Sequence, residues 1–200
     1  MAVTKGVPAA HMRAAYAAGL RHLGENRIQE ARPKIAALAD LADVTWHLVG
    51  HLQTNKAKDA VELFHVVHSA DSERIVDALE RHCAMAGRSL DVFLEVNVAG
   101  EAAKYGTTVT DVTALARRLQ QCPHLTWVGL MTVAPLADEA EAVRPVFRQL
   151  HALREQLQEA TGTPLRLSMG MSNDFHIAIE EGADIVRVGS AIFQESFWKK

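Results

Sequence analysis

Cysteine is scarce in this chain: Cys83 and Cys122 are the only two among 200 residues. Neither has a Cys-x-x-Cys partner. That excludes a disulfide scaffold and a thiolate zinc ribbon, and it points to a reducing compartment. No apolar run approaches the roughly 20 residues needed to cross a bilayer. The net charge is −3 and no basic block occurs, so the electrostatic footprint of a nucleic-acid binder is missing. Linkers, repeats and low-complexity tracts are missing as well. Met1 leads straight into a short apolar run, so no signal peptide is expected and the expected location is cytoplasmic. These absences leave one globular domain over residues 1–200, with neither nucleic acid nor membrane as a partner. The 48% hydrophobic content is enough for one sizeable core.

Histidine, by contrast, is plentiful, with ten copies. Spacing argues against a metal. His65 and His68 lie three apart in a strand-like run, and residues three apart on a strand point to opposite faces. No His-Glu-x-x-His occurs. The histidines are expected to be surface groups or hydrogen-bonded ones, and no metal site is expected.

Strand-like and helix-like segments alternate along the whole chain. Apolar, strand-like runs fall at 1–4, 20–23, 44–49, 64–68, 90–98, 125–130, 165–167 and 183–188. Helical spacing fills the intervals. Pro8 opens a helix over 9–18 that Gly19 closes, proline early and glycine past the end being the usual asymmetry. A second helix spans 25–39, where Pro33 predicts a kink or restart. Others run over 55–63, from Asp71 or Ser72 to Gly87, over 109–119 and 143–157, and from Asn173 to Glu181. Eight such units predict right-handed parallel crossovers. A closed (β/α)8 barrel is favoured, and an open doubly wound sheet is the structural alternative.

In such a barrel all strand ends open on one face, and the loops after the last two strands form its usual phosphate cradle. Lys5 follows the first strand. Ser168-Met169-Gly170-Met171-Ser172 follows the seventh, offering consecutive N–H groups and two hydroxyls ahead of a helix start. Gly189-Ser190 repeats the device after the eighth. Each feature alone is ordinary, since glycine and serine mark most turns and a strand-end lysine usually faces water. Together they suggest a phosphorylated aldehyde held by the lysine as an imine, which points to pyridoxal 5′-phosphate (PLP). Arg187 sits inside an apolar strand, where it needs a reason. It either pairs with a carboxylate across the barrel or hydrogen-bonds a cofactor ring nitrogen. The latter would weaken the ring as an electron sink. Glu25-Asn26 and the 51–56 segment bring further polar groups to the same mouth.

Six blocks now stand in order: Ala2-Val3-Thr4-Lys5, 24–30, 46–56, 129–132, 168–174 and 186–193. Together they resemble the pyridoxal phosphate homeostasis protein family, from residue 2 to about 195. That family is similar to the barrel domain of alanine racemase without its second, β-rich domain. The resemblance implies covalent PLP binding and a role in buffering PLP and passing it to apoenzymes, with no established catalysis. It implies that Lys5 forms the Schiff base, that Arg187 approaches the pyridine nitrogen and that Asn26 lines the ring pocket. Ser168, Gly170, Met171 and Ser172 would bind the phosphate with Gly189 and Ser190. Expected partners are PLP and, transiently, PLP-dependent apoenzymes, with the chain a monomer.

Departures are visible. Family chains usually carry a helical segment ahead of the lysine strand, and its lack here predicts an exposed barrel end. His51 stands where proline is common, Ser190 where threonine is common, and Tyr105 replaces a small residue without an assignable role. Three functions remain open from the residues: a PLP carrier without turnover, a PLP-dependent racemase or decarboxylase, and a barrel for another phosphorylated metabolite. A two-base racemase needs a second proton carrier, and Tyr16 and Tyr105 are the only tyrosines.

Overall fold

The computed structural model describes residues 1–101 and 103–194. Its elements run β1 (Ala2–Val3), α1 (Ala9–Ala17), β2 (His22–Glu25), α2 (Ile28–Ala37), β3 (Thr45–Leu48), α3 (Ala57–Leu63), β4 (Val66–Ala70), α4 (Glu73–Ala86), β5 (Leu90–Glu95), α5 (Val112–Gln120), β6 (Leu125–Met131), α6 (Arg144–Thr161), β7 (Arg166–Met171), α7 (Phe175–Glu180), β8 (Ile185–Arg187) and α8 (Ser190–Phe193). Short 3-10 turns precede α3 and α6.

The eight strands form one parallel sheet in chain order. Its edges meet: Val3 N–H donates to the Val188 carbonyl at 2.9 Å, and Val188 N–H donates to the Met1 carbonyl at 3.1 Å. The fold is therefore the (β/α)8 barrel. Side chains on each strand alternate between two packing environments. Leu23, Trp46, Leu48, Val67, Val92, Leu94, Leu167 and Met169 join the main core, beneath the helices. Phe93, Val66 and Met131 pack in a second, smaller cluster on the opposite face, inside the barrel.

Helices follow the apolar spacing. Phe147, Leu150, Leu153 and Leu157 stripe α6 and are buried, each stabilising by roughly 1.5–3 kcal/mol through area removed from water. Pro145 fits the first turn of α6, and Gly162 closes it at φ 67°, a left-handed geometry that glycine adopts without steric cost. Helix α2 runs through Pro33 as one continuous element rather than breaking there.

Two boundaries differ in ways that matter. Strand β7 continues to Met171 instead of ending at 167. Ser168 still pairs with Met131 of β6, and Met171 still pairs with Arg187 of β8. The register irregularity between them accompanies Gly170 at φ 90°. The helix expected from Asn173 begins only at Phe175. Asp174 occupies the preceding position at φ −135°, and its carboxylate accepts a hydrogen bond from the Met171 N–H at 2.5 Å.

Candidate functional site

A cavity of about 1020 Å³ opens at the carboxyl ends of the strands, at the upper end of the range for ligand sites. Lys5 enters it from the turn after β1, Asn26 from the loop after β2, Met171 and Arg187 from the ends of β7 and β8, and Ser172, Gly189 and Ser190 from the segments that follow them. Val3, Val49 and Val133 supply apolar wall, and Lys104 lies at the rim. Seven of the nine residues singled out from the sequence therefore share one cavity.

The other two do not line it. Ser168 is fully buried. Its hydroxyl accepts a hydrogen bond from Arg187 Nη1 at 2.9 Å and lies 2.9 Å from His68 Nδ1. β7 is still a paired strand at this point, and the strand's alternation turns Ser168, expected as a phosphate ligand, into the barrel interior rather than the cavity lining. Gly170 has a packing role instead. A Cβ there would lie 2.5 Å from the Ala178 Cβ, so its absence lets α7 sit against the strand. Met171 lines the cavity, but its N–H is committed to Asp174.

The anion-facing corner is well defined. Ser172 Oγ accepts hydrogen bonds from the N–H groups of Gly189 and Ala191, each at 3.2 Å. A single oxygen is thus already held by two backbone donors from the last loop. Among the described residues, the N–H groups of Ser172, Asn173 and Ser190 have no protein acceptor. Such a cluster of backbone donors suits a phosphate's oxygens.

Lys5 is exposed on the turn that follows β1, the strand adjoining β8, where a Cβ on Gly189 would lie 3.0 Å from the Val3 carbonyl oxygen. The base of Lys5 is firmly anchored. Thr4, immediately before it, is fully buried. Its hydroxyl donates to Glu25 Oε1 at 2.5 Å, and Lys34 Nζ donates to the Thr4 carbonyl at 2.7 Å and to Glu25 Oε1 at 2.8 Å. Asn26 is fixed by crowding: a Cβ on Gly50 would sit 2.1 Å from the Asn26 carbonyl oxygen. Only glycine allows the loops after β2 and β3 to approach this closely.

Arg187 is 5% exposed. Its Nη2 donates to the Thr132 carbonyl at 2.7 Å and its Nη1 to Ser168. Among the described residues no carboxylate pairs with it within 4 Å, so the ion-pair explanation for its burial fails. Of its five N–H donors, three are left without a protein acceptor among the described residues. Burial pulls its pKa down to about 10, against the opposing pull of Glu95 and Asp174, so it stays cationic at neutral pH. Glu95, at the end of β5, is pushed up to about 7 by burial and by Asp71, with Arg187 acting the other way.

Sequence reasoning missed Thr132, Glu95 and Asp174 as parts of this environment. Asp174 alone carried a signal, as an acidic residue at a helix start. Tyr105 stacks on the His51 ring, 3.7 Å between centroids, and His51 Nδ1 lies 3.6 Å from Asp71. Among the described residues no cluster of histidine, cysteine or acidic side chains could hold a metal ion, and no helix is long and apolar enough to cross a membrane.

The family described as alanine racemase, N-terminal domain, matches residues 1–196. A pyridoxal phosphate homeostasis protein of Aquifex aeolicus is 41% identical over 196 residues, covering 98% of this chain and 86% of its own length. One from Pseudomonas aeruginosa is 44% identical over 193 residues, covering 96% and 82%. The chain belongs to the pyridoxal phosphate homeostasis protein family. Among solved structures, PipY of Synechococcus elongatus without PLP superposes with a TM-score of 0.92 at 44% identity, over 96% of this chain and 90% of PipY. PipY with PLP bound superposes at 0.89 and 42%, over 96% and 91%. An alanine racemase of Clostridium difficile shares the fold at 12% identity and a TM-score of 0.77, over 92% of this chain and 48% of the racemase. The relatedness to the PLP homeostasis proteins is thus full-length on the barrel, whereas the racemase is a relative in fold alone.

Proposed function

We propose that this member of the pyridoxal phosphate homeostasis protein family binds PLP as a Schiff base on Lys5, and that it serves intracellular vitamin B6 homeostasis and amino-acid balance without turnover. The observation that carries this reading is the convergence of Lys5, Arg187 and the Ser172, Gly189 and Ser190 corner on one cavity.

When bound, PLP supplies an aldehyde that condenses reversibly with a primary amine. Lys5, whose primary amine reaches the cavity from the turn after β1, is the residue that would hold the cofactor through that aldehyde. The N–H groups of Ser172, Asn173 and Ser190, free among the described residues, and the hydroxyls of Ser172 and Ser190 would hold the phosphate, with the Gly189 N–H, given to Ser172 Oγ, fixing that hydroxyl. Charge-assisted hydrogen bonds of this kind are worth roughly 1.5–3 kcal/mol each. Asn26 lines the ring pocket. Arg187, at the barrel mouth, would approach the pyridine nitrogen with one of its remaining N–H donors. A guanidinium cation there would keep that nitrogen unprotonated and so withhold the charge that stabilises a carbanion. That disfavours racemisation and decarboxylation. Proton transfer on a second face would need another carrier, and neither tyrosine lines the cavity: the Tyr16 hydroxyl donates to Asp43 at 2.5 Å, and Tyr105 stacks on His51. Exposure of Lys5 at the rim suits transient contact with apoenzymes that receive the cofactor, and we assign this role to a cytoplasmic monomer whose single domain spans residues 1–200.

Borohydride reduction of the protein incubated with PLP tests the reading. The expected result is one added pyridoxyl phosphate on the peptide containing Lys5, lost in Lys5→Ala. A colourless protein without adduct would overturn the assignment in favour of another phosphorylated ligand. Steady racemisation or decarboxylation of amino acids, abolished in Lys5→Ala, would overturn the absence of turnover.

A further inference from the structure

Three histidines outside the cavity form a continuous chain through the barrel. His22 Nδ1 lies 3.0 Å from His47 Nε2, His47 Nδ1 lies 2.9 Å from His68 Nε2, and His68 Nδ1 lies 2.9 Å from Ser168 Oγ. Ser168 Oγ in turn accepts from Arg187. The strand register explains the path. His22 pairs with Thr45, and His47 is two residues further on. His47 pairs with Val66, and His68 is again two residues on. Each step keeps to the inward face and climbs one side-chain repeat toward the mouth. The chain begins at exposed His22, at the foot of β2, passes through buried His47 and His68, and ends at the cavity wall.

Its direction follows from donor arithmetic. Arginine only donates, so Ser168 Oγ accepts from Nη1. The serine hydroxyl has one proton, and its only other partner among the described residues is His68 Nδ1. Were that nitrogen protonated, the hydroxyl proton would be stranded in a fully buried site, a costly arrangement. Ser168 therefore donates to His68, His68 Nε2–H donates to His47, and His47 Nε2–H donates to His22. Every link is satisfied in this one orientation. Both inner rings are held neutral, which the orientation requires: burial, then the neighbouring imidazoles and the positive Arg166 and amino terminus, pull His47 down to about 3 and His68 well below its ordinary value.

We propose that Ser168, His68, His47 and His22 are positioning residues for Arg187, holding its guanidinium toward the cofactor ring through a directed hydrogen-bond chain that ends in solvent at the opposite end of the barrel. The proposal rests on the PLP reading for its ligand and on geometry alone for its chain. The ladder across adjacent strands also explains why Arg187 tolerates burial without a carboxylate partner: polarised neutral groups disperse the charge in its place.

Two measurements test it. Nitrogen-15 NMR of the imidazoles, on the protein without PLP, is expected to show both His47 and His68 as neutral Nε2–H tautomers at neutral pH. An Nδ1–H tautomer at either ring overturns the chain whatever the protein binds. PLP titrations then follow the absorption band of the bound cofactor. His47→Leu and Ser168→Ala are expected to shift that band and to raise the PLP dissociation constant roughly 2- to 12-fold, the worth of one neutral hydrogen bond. His47→Gln, which keeps a donor and an acceptor, restores the wild-type band. Should His47→Leu not fold, His22→Ala, at an exposed ring, is expected to shift the band in the same direction. Wild-type band position and affinity in Ser168→Ala and His22→Ala would overturn the positioning role. Failure of the PLP reading itself is distinct, since the wild-type protein would then form no adduct.

Discussion

Substitution of Gly50 by alanine isolates one contact on which both fold and site depend. Gly50 does not lie in the left-handed region, so alanine meets no backbone strain there and only crowding acts. The added Cβ would lie 2.1 Å from the Asn26 carbonyl oxygen, 2.8 Å from its carbon and 2.9 Å from its Cα. All three are backbone atoms, so no side chain can rotate aside. Relief requires the loops after β2 and β3 to separate by more than about 1 Å, ordinary carbon contacts being about 3.5–4 Å. Overpacking of this sort costs about 1–3 kcal/mol, which lowers the melting midpoint of a chain this size by roughly 2–12 °C. Asn26 moves with its loop, so PLP affinity falls too. Thermal denaturation followed by far-ultraviolet circular dichroism, with and without PLP, reads both effects. A midpoint within about 1 °C of the parent and an unchanged PLP titration would refute the reasoning.

Glu95 gives the barrel a pH dependence of defined sign. Its folded pKa, about 7, lies above the ordinary 4.5. The native state therefore holds this proton more tightly than the unfolded chain, and the resulting stability is full below about pH 4.5 and lost as pH rises through 7. Relative to Glu95→Gln, the parent should lose about 3 kcal/mol across that window, and urea denaturation curves that stay parallel for the two proteins would contradict it. Lys34→Met removes the cation beside Glu25, whose side chain is fully buried and whose Oε2 already lacks a partner among the described residues. Stranding that carboxylate is expected to cost about 3–5 kcal/mol. Recovery in the Lys34→Met, Glu25→Gln double variant is the expected control, and a loss below about 1 kcal/mol would show that the pair is dispensable.

Barrel architecture was legible because its signal is coarse. Eight apolar runs spaced by helical stripes survive errors of a few residues at each boundary. The cavity's outline was legible for a similar reason: Lys5, Arg187 and Ser190 follow strand ends, and strand ends of a parallel barrel share one rim. The position of Ser168 was not legible because it turns on whether β7 stops at 167 or runs to 171. That choice depends on pairing with Met131 and Arg187, which no local pattern reports. The histidines were expected as surface or hydrogen-bonded groups, which they are, but their chain was hidden for the same cause. His22, His47 and His68 are 25 and 21 residues apart and become neighbours only through register, a property of strand pairs rather than of any one segment. Thr132 acts through its carbonyl, which every residue possesses and no side-chain motif announces.

Barrel closure rests on a two-residue strand. Ala2–Val3 joins β2 on one side and reaches Val188 on the other, and Lys5 follows two positions later. The seam and the proposed anchor residue are consequently neighbours on one short stretch of backbone. A ligand bonded to Lys5 and seated among the last two loops would rivet the first strand to the final ones, so that its binding would tighten the joint that closes the cylinder.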